Sequence, residues 1–495
     1  MILTLVTLVP LAQKEEPAKL GGYPLEPKVE TARSRCPLGG MYSMKRSLLI
    51  FAVLIAIGTA GVQPAAAQNR YIVRTTGGLS SVLNLCSLLG CQVQGSLDGN
   101  INQTFLVTSS TNIVVNLLNF TVNLVDSLLG IQSIEPDKLL PVPQTPINNI
   151  SSGLYDTKLV NYYGTLVTHG YVAQPAANII RLTDAQNGFG ISGTGIVAVI
   201  DTGVDPSHPV LKPVLLTGYD FTRNQSGASE WLDLSSTGIS ATTSPNAQPV
   251  KVQQSSAAIL DQSSAAILDG SPYVAFGHGT MTSGLVHLVA PKAKILPLKA
   301  FSSNGTGNLS NIVAALYYAV QHNANVVNMS FDLSYPSPAL SQAISSANKA
   351  GVVLVAAAGN ENSSARVYPA SISGSVVGIA STTDWDARSS FSNYGSADVW
   401  IAAPGEYVIS TYPGGTYGSE SGTSFSAPLV AGTVALMLSA KQPINQSKAA
   451  NALQHAVVLT PDLNYGRLDV YQAVSAWVNS STSGSGSGSC FLLCW

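Results

Sequence analysis

The sequence predicts an α/β fold: a three-layer, doubly wound, mostly parallel sheet, preceded by a small α+β unit of the ferredoxin-like, split βαβ kind. Three observations carry this. From residue 196 to 440, short apolar runs alternate with segments of helical length and apolar periodicity. The runs IVAVI (196–200), NVVNMSF (325–331) and GVVLVAAAGN (351–360) are almost continuously apolar, as in parallel strands covered on both faces. Residues 68–141 show a separate β-α-β-β-α-β tendency, cut off from the rest by the turn-rich PVPQTPINNISSG (141–153).

Composition sets the outer limits. A chain of 495 residues suits two to four domains. Only 10% of it is charged, against about a quarter in ordinary domains. Residues 151 onward hold 14 basic and 18 acidic side chains. No Lys/Arg block follows the leader, which argues against a nucleic-acid partner. Of the 5 cysteines, Cys36, Cys86 and Cys91 come early and Cys490 and Cys494 at the end. The central domain therefore has no thiol nucleophile and needs no disulfide. The spacings permit Cys86 with Cys91 and Cys490 with Cys494, but do not prove either. No Cys/His metal spacing appears, so no metal ligands are assigned.

In chain order, residues 1–67 read as leader and export signal. Lys45 and Arg46 precede the apolar LLIFAVLIAIGTAGV (48–62), and Ala65-Ala66-Ala67 form a small-residue cleavage site before Gln68. The true start is expected at Met41 or Met44. The apolar core is short for a membrane span; a retained anchor is the alternative. Residues 68–145 follow, with strands expected at 70–75, 103–109 and 131–141 and helices at 80–90 and 113–130. Placed between a signal and a larger domain, this unit reads as a propeptide; an independent binding domain is the alternative. The main domain spans 146–480. Within it, 219–275 loses pattern and carries the tandem duplication QSSAAILD (254–261, 262–269), read as a surface insertion. A Gly/Ser linker and the apolar tail CFLLCW close the chain over 481–495.

Three residues stand at strand ends or helix starts, each wrapped in small neighbours. Asp201 ends IVAVI, where open α/β sheets place their chemistry. His278 lies between Gly277 and Gly279 before a small-residue helix. Ser424 follows a stretch with Gly414, Gly415 and Gly418 that reads as loop, and precedes the apolar run 429–441. A hydroxyl at a helix start sits among free backbone N–H groups; an N-cap serine is the bland alternative. Together the three types form a nucleophile, a general base and the carboxylate that orients it. Asn360, at the end of VVLVAAAG, offers a side-chain amide to a developing oxyanion.

The blocks IDTGVDPSHP, GHGT, NMSF, AAAGN, YPA, FSNYG, AAPG and SGTSFSAPLVAG, in this order, resemble the subtilisin-like serine proteases (subtilases) over roughly 170–478. Residues 68–141 are similar to that family's inhibitory propeptide. The resemblance implies a triad of Asp201, His278 and Ser424 with Asn360 as oxyanion donor. It implies that Asn328-Met329-Ser330-Phe331 pairs with an extended substrate, and that Ala357, Ala358 and Gly359 wall the primary specificity pocket. Two positions depart from the family pattern. Phe331-Asp332 stand where Leu-Gly is frequent, which points toward basic substrate side chains. Val367 replaces a pocket-base glycine, which points toward small ones. The calcium loop many bacterial relatives carry after the histidine is missing, so that site is not expected. A structural calcium ion is compatible with the Asp and Asn side chains of the 219–275 insertion.

The expected function is a secreted serine endopeptidase acting on proteins or peptides, made as a self-processing zymogen with its own propeptide as inhibitor. It would be extracellular, or held at the cell surface through its tail. The alternative is a catalytically silent binding or cell-surface protein on the same fold.

Overall fold

A computed structural model describes residues 69–110, 130–141, 151–234, 273 and 275–480. The expected leader, the second helix before Gly130, the duplication at 254–269 and the tail from 481 lie outside these residues.

The N-terminal unit contains β1 (Asn69–Thr75), α1 (Gly78–Leu89), β2 (Cys91–Ser96), β3 (Thr104–Ser109) and β4 (Ile131–Pro136). The strands form one antiparallel sheet in the order β2-β3-β1-β4. Alternation along β1 decides its packing. Tyr71 and Val73 join Val82 and Leu85 of α1 in a local core, while Ile72 belongs to a core cluster of the main domain. The sheet is therefore covered on both sides. A disulfide between Cys86 and Cys91 ties the end of α1 to the start of β2. CQVQGS, mostly half-buried or exposed, has too little apolar alternation to announce β2 in the sequence. The single strand expected over 131–141 breaks at Asp137 and Lys138, and its end, β5 (Leu139–Pro141), leaves the sheet.

The main domain opens with the hairpin β6 (Leu159–Tyr162) and β7 (Thr165–Thr168). Its central sheet contains β8 (Ile196–Asp201), β9 (Tyr219–Asp220), β10 (Gln225–Ser226) and β11 (Lys294–Lys299). β12 (Thr306–Asn308) stands apart. The sheet continues through β13 (Val326–Met329), β14 (Val353–Ala357), β15 (Val377–Thr382) and β16 (Ile401–Pro404). The order is β10-β9-β11-β8-β13-β14-β15-β16, parallel except at edge strand β10. The chain builds outward from β8 to β11 and then crosses to β13. The carboxyl end of β8 is thus the switch point at which such sheets bind ligands.

Helices cover both faces. Val197 and Val199 face a cluster shared with α2 (His278–Val289), α5 (Thr423–Ala440), α6 (Gln446–Leu453) and α7 (Val470–Asn479). Ala198 and Ile200 face the cluster built on α3 (Leu309–Gln321) and α4 (Pro338–Lys349). Among the described residues only α5 is long and apolar enough to cross a membrane, and 89% of it is buried within the fold. It is a core helix, as its apolar character on every side requires. The stretch before Ser424, read as loop from its glycines, is a hairpin of β17 (Val408–Tyr412) and β18 (Thr416–Glu420). Gly414 and Gly415, at φ 82° and 73°, make the turn, whereas Gly418 lies inside β18 opposite Ser410.

Candidate active site

Asp201 is the last residue of β8 and His278 the first of α2. The helix must begin almost on top of the strand for the two to meet. A methyl at Gly279 would lie 2.0 Å from the Gly203 carbonyl oxygen, so glycine is what allows this approach. The Gly279 N–H donates to Thr202 Oγ1 at 3.0 Å. The buried Lys299 ammonium donates to the Thr202 carbonyl at 2.6 Å, holding the same loop.

In this setting His278 Nδ1 lies 2.7 Å from Asp201 Oδ1. Asp201 also accepts from the Thr202 N–H at 2.7 Å and from Thr282 Oγ1 at 3.0 Å. With Asp201 as a buried carboxylate acceptor, Nδ1 carries the proton and Nε2 is the free base. His278 Nε2 is buried without a hydrogen-bond partner among the described residues. Thr282 was legible in hindsight: it stands four residues after His278 on the same helical face.

Ser424 is the second residue of α5. Its Oγ donates to the Ser330 carbonyl at 3.2 Å, and His278 Nε2 accepts no bond from it. Such nucleophile–base contacts are commonly loose before substrate binds. Pro428, four residues on, has no N–H to give the Ser424 carbonyl. Ser330 Oγ supplies that bond instead, at 2.8 Å. Ser330 and Ser424 therefore lock the end of β13 to the start of α5 reciprocally.

Asn360 lies three residues past β14. Its Oδ1 accepts from the Thr423 N–H at 3.0 Å and from Thr423 Oγ1 at 2.9 Å. That fixes the amide and leaves Nδ2 as a buried donor without a partner among the described residues. Thr423, missed by the sequence reading, is what aims the amide.

The expected pairing of substrate with 328–331 needs correction at Asn328 and Met329; Ser330 and Phe331 lie past the end of β13. Asn328 and Met329 are hydrogen-bonded between β8 and β14, so neither offers a free edge. The edge that does accept an extended segment is β12. There Leu140 of β5 lies opposite Gly307, with Pro141 opposite Thr306 and Leu139 opposite Asn308. Phe331 is 1% exposed and packs at a tilt against Phe301, ring centres 5.3 Å apart. Ala357 and Ala358 are fully buried. None of these three side chains is open to a substrate. Asp332 is half-buried and Gly359 turns at φ 95° beside it. Val367 is buried in the apolar cluster that also holds Leu333 and Ala370.

Glu230 is a further functional residue that sequence left unmarked. Fully buried, it accepts from the Gly277 N–H at 2.7 Å and from Thr280 Oγ1, fastening the first turn of α2. Burial is the main cause that lifts its carboxyl from 4.5 to about 8. The folded state thus keeps a proton that the unfolded chain releases, and stability falls as pH rises from about 4.5 to about 8. Glu230→Gln flattens the thermal-stability profile across that window; an unchanged slope contradicts this assignment.

Among the described residues no group of three or more His, Cys, Asp or Glu side chains is arranged to hold a metal ion.

Residues 193–474 match the sequence profile of the subtilase family. The chain is 32% identical over 296 residues to thermitase of Thermoactinomyces vulgaris, covering 56% of this chain and 88% of that one. It is 33% identical over 292 residues to a thermophilic serine proteinase of Bacillus sp. (strain AK1), covering 56% and 61%. It is 38% identical over 205 residues to subtilisin DY of Bacillus licheniformis, covering 39% and 74%. The chain belongs to the subtilase family, whose subtilisin-like fold it has, and is a serine endopeptidase.

Proposed function

We propose that this chain is an exported, self-processing zymogen that cleaves proteins or peptides through Asp201, His278 and Ser424. The observation that carries it is the 2.7 Å contact between Asp201 and His278 Nδ1 at the switch point of the sheet, with the His278 ring 5.2 Å from that of Phe425, the residue after Ser424. In the reaction Ser424 Oγ rotates from the Ser330 carbonyl and attacks the substrate carbonyl. Its proton passes to His278 Nε2. The oxyanion is met by Asn360 Nδ2 and the N–H groups at the start of α5. The imidazolium, held by Asp201, gives its proton to the leaving amine. Water then attacks the acyl-enzyme, with Nε2 as base again.

The inhibitory role of residues 68–145 is supported by the way they are attached. β5 occupies the β12 edge, as an extended substrate would. Asp137 accepts from the Ser310 N–H and Oγ, both at 2.7 Å, in the first turn of α3. Glu135 accepts from the Ala339 N–H at 2.7 Å in the first turn of α4. Carboxylates at two helix N-termini give a charge-assisted grip, and Arg70 pairs with Asp137 at 2.8 Å. Asp137→Ala shortens the lag before activity appears in the exported chain several-fold, a loss of about 1 kcal/mol of grip. An unaltered lag counts against cis inhibition.

The reading is tested by N-terminal sequencing of the exported product together with labelling by a serine-directed phosphonate. A new N-terminus after about residue 140 and a label on Ser424 are expected. Fully active protein that still begins at Gln68 removes the zymogen.

A further inference from the structure

The crevice beside Ser424 carries negative charge that the hydrolytic chemistry does not use. Asp332 lies two residues past Ser330, which bonds Ser424. Gly359 and Glu361 flank Asn360 on the neighbouring strand's extension. A methyl placed on Gly359 would lie 2.6 Å from Asp332 Oδ2, 2.7 Å from Glu361 Oε2 and 2.4 Å from Asn393 Nδ2. Two carboxylate oxygens and one amide thus converge on a single point beside the backbone next to the oxyanion donor. Glu361 has a partner, accepting from Asn393 Nδ2 at 2.7 Å. Asp332 Oδ2 is buried with none among the described residues.

A third carboxylate stands behind them. Asp398 is 1% exposed. Its Oδ1 accepts from the Val367 N–H at 3.2 Å, and its Oδ2 has no partner among the described residues. Burial first, then the charges of Glu361 and Asp398, push the Asp332 carboxyl up to about 7. Burial lifts Asp398 to about 6, opposed by Arg366. Buried carboxyls crowded together favour a cation that neutralises them. The competing signal from Val367 lapses, because its side chain is part of the core rather than a plug in the crevice.

We propose that Asp332, with Glu361 and Asp398 around it, selects substrates carrying lysine or arginine immediately before the scissile bond. This rests on the endopeptidase reading and specifies its substrate class. The incoming ammonium or guanidinium enters between Asp332 Oδ2 and Glu361 Oε2 while the scissile carbonyl lies against Ser424 and Asn360. Val367, whose replacement of glycine suggests a small-residue preference in the sequence, then sets depth only through its backbone.

The test uses the mature enzyme and peptides that differ only before the cleaved bond, bearing lysine, arginine, norleucine or phenylalanine. Norleucine matches the lysine stem without its charge, so the lysine-to-norleucine ratio of kcat/KM isolates the cation. The wild type is expected to favour lysine by on the order of tenfold or more. Asp332→Asn is expected to erase most of that ratio and Glu361→Gln part of it. A ratio within one preparation is independent of how much variant folds, and phosphonate titration of Ser424 confirms that active sites are counted. A wild type without preference for the basic peptides, or a ratio untouched by Asp332→Asn, overturns the proposal while leaving the endopeptidase intact. A preference that vanishes on adding a chelator assigns the cluster to a metal and also overturns it. Failure to cleave any peptide removes both readings.

Discussion

Replacing Ser424 by alanine lowers peptide-bond hydrolysis by about a millionfold in kcat, the magnitude known for subtilisin itself. Among the described residues Ser424 Oγ makes one hydrogen bond, to the Ser330 carbonyl. Its removal disturbs the fold little, because the reciprocal bond from Ser330 Oγ ends on the Ser424 carbonyl, which alanine keeps. The loss is therefore chemical. His278 Nε2 remains a base with no hydroxyl to deprotonate. The same variant also retains residues 68–145 covalently if maturation is autocatalytic, which mass spectrometry of the exported chain reads directly. A silent binding protein on this fold would show no activity in the wild type and no difference in the variant. Unchanged amidase activity in Ser424→Ala excludes the proposed nucleophile.

Asn360→Ala carries the second largest effect, a fall in kcat of about a hundredfold to a thousandfold, the range seen for the matching amide of subtilisin. KM should move little, since a donor aimed at the oxyanion meets charge that exists only in the transition state. The geometry prepares this. Thr423 holds Oδ1 through two bonds, so Nδ2 is positioned before substrate arrives. Steady-state kinetics on one peptide separates the two parameters. A variant that raises KM and spares kcat makes Asn360 a binding residue instead.

Much of this was open to reading from residues alone, for identifiable reasons. IVAVI, VVNM and VLVAA are covered on both faces, so continuous apolar runs announce them and place Asp201 and Asn360 at their ends. His278 and Ser424 declare themselves through small neighbours that allow close approach. What stayed hidden depends on partners distant in the chain. β12 is three residues, Thr-Gly-Asn, with no apolar alternation, and becomes a strand because Leu139–Pro141 comes to it. Asn328 and Met329 were expected at a substrate edge from the resemblance to subtilases, and the two strands that flank them leave no local mark to counter it. Gly418 suggested loop, yet it sits in a hairpin whose cross-strand partners come from 408–412. Glu230 stands in a 3₁₀ turn with no periodic signal. Its value arises only where α2 meets it. The resemblance to subtilases supplied roles for the triad, but Pro428 and Ser330 show how this chain's own residues build the geometry.

The attachment of Leu139–Pro141 to Thr306–Asn308 has a consequence if processing removes the N-terminal unit. With that guest gone, three residues of bare ribbon are left open to uncoiled polypeptide of any origin. A frayed stretch on a neighbouring copy qualifies as well as any meal. Self-digestion of the processed form is then expected to quicken with protein concentration, which incubation at two dilutions checks.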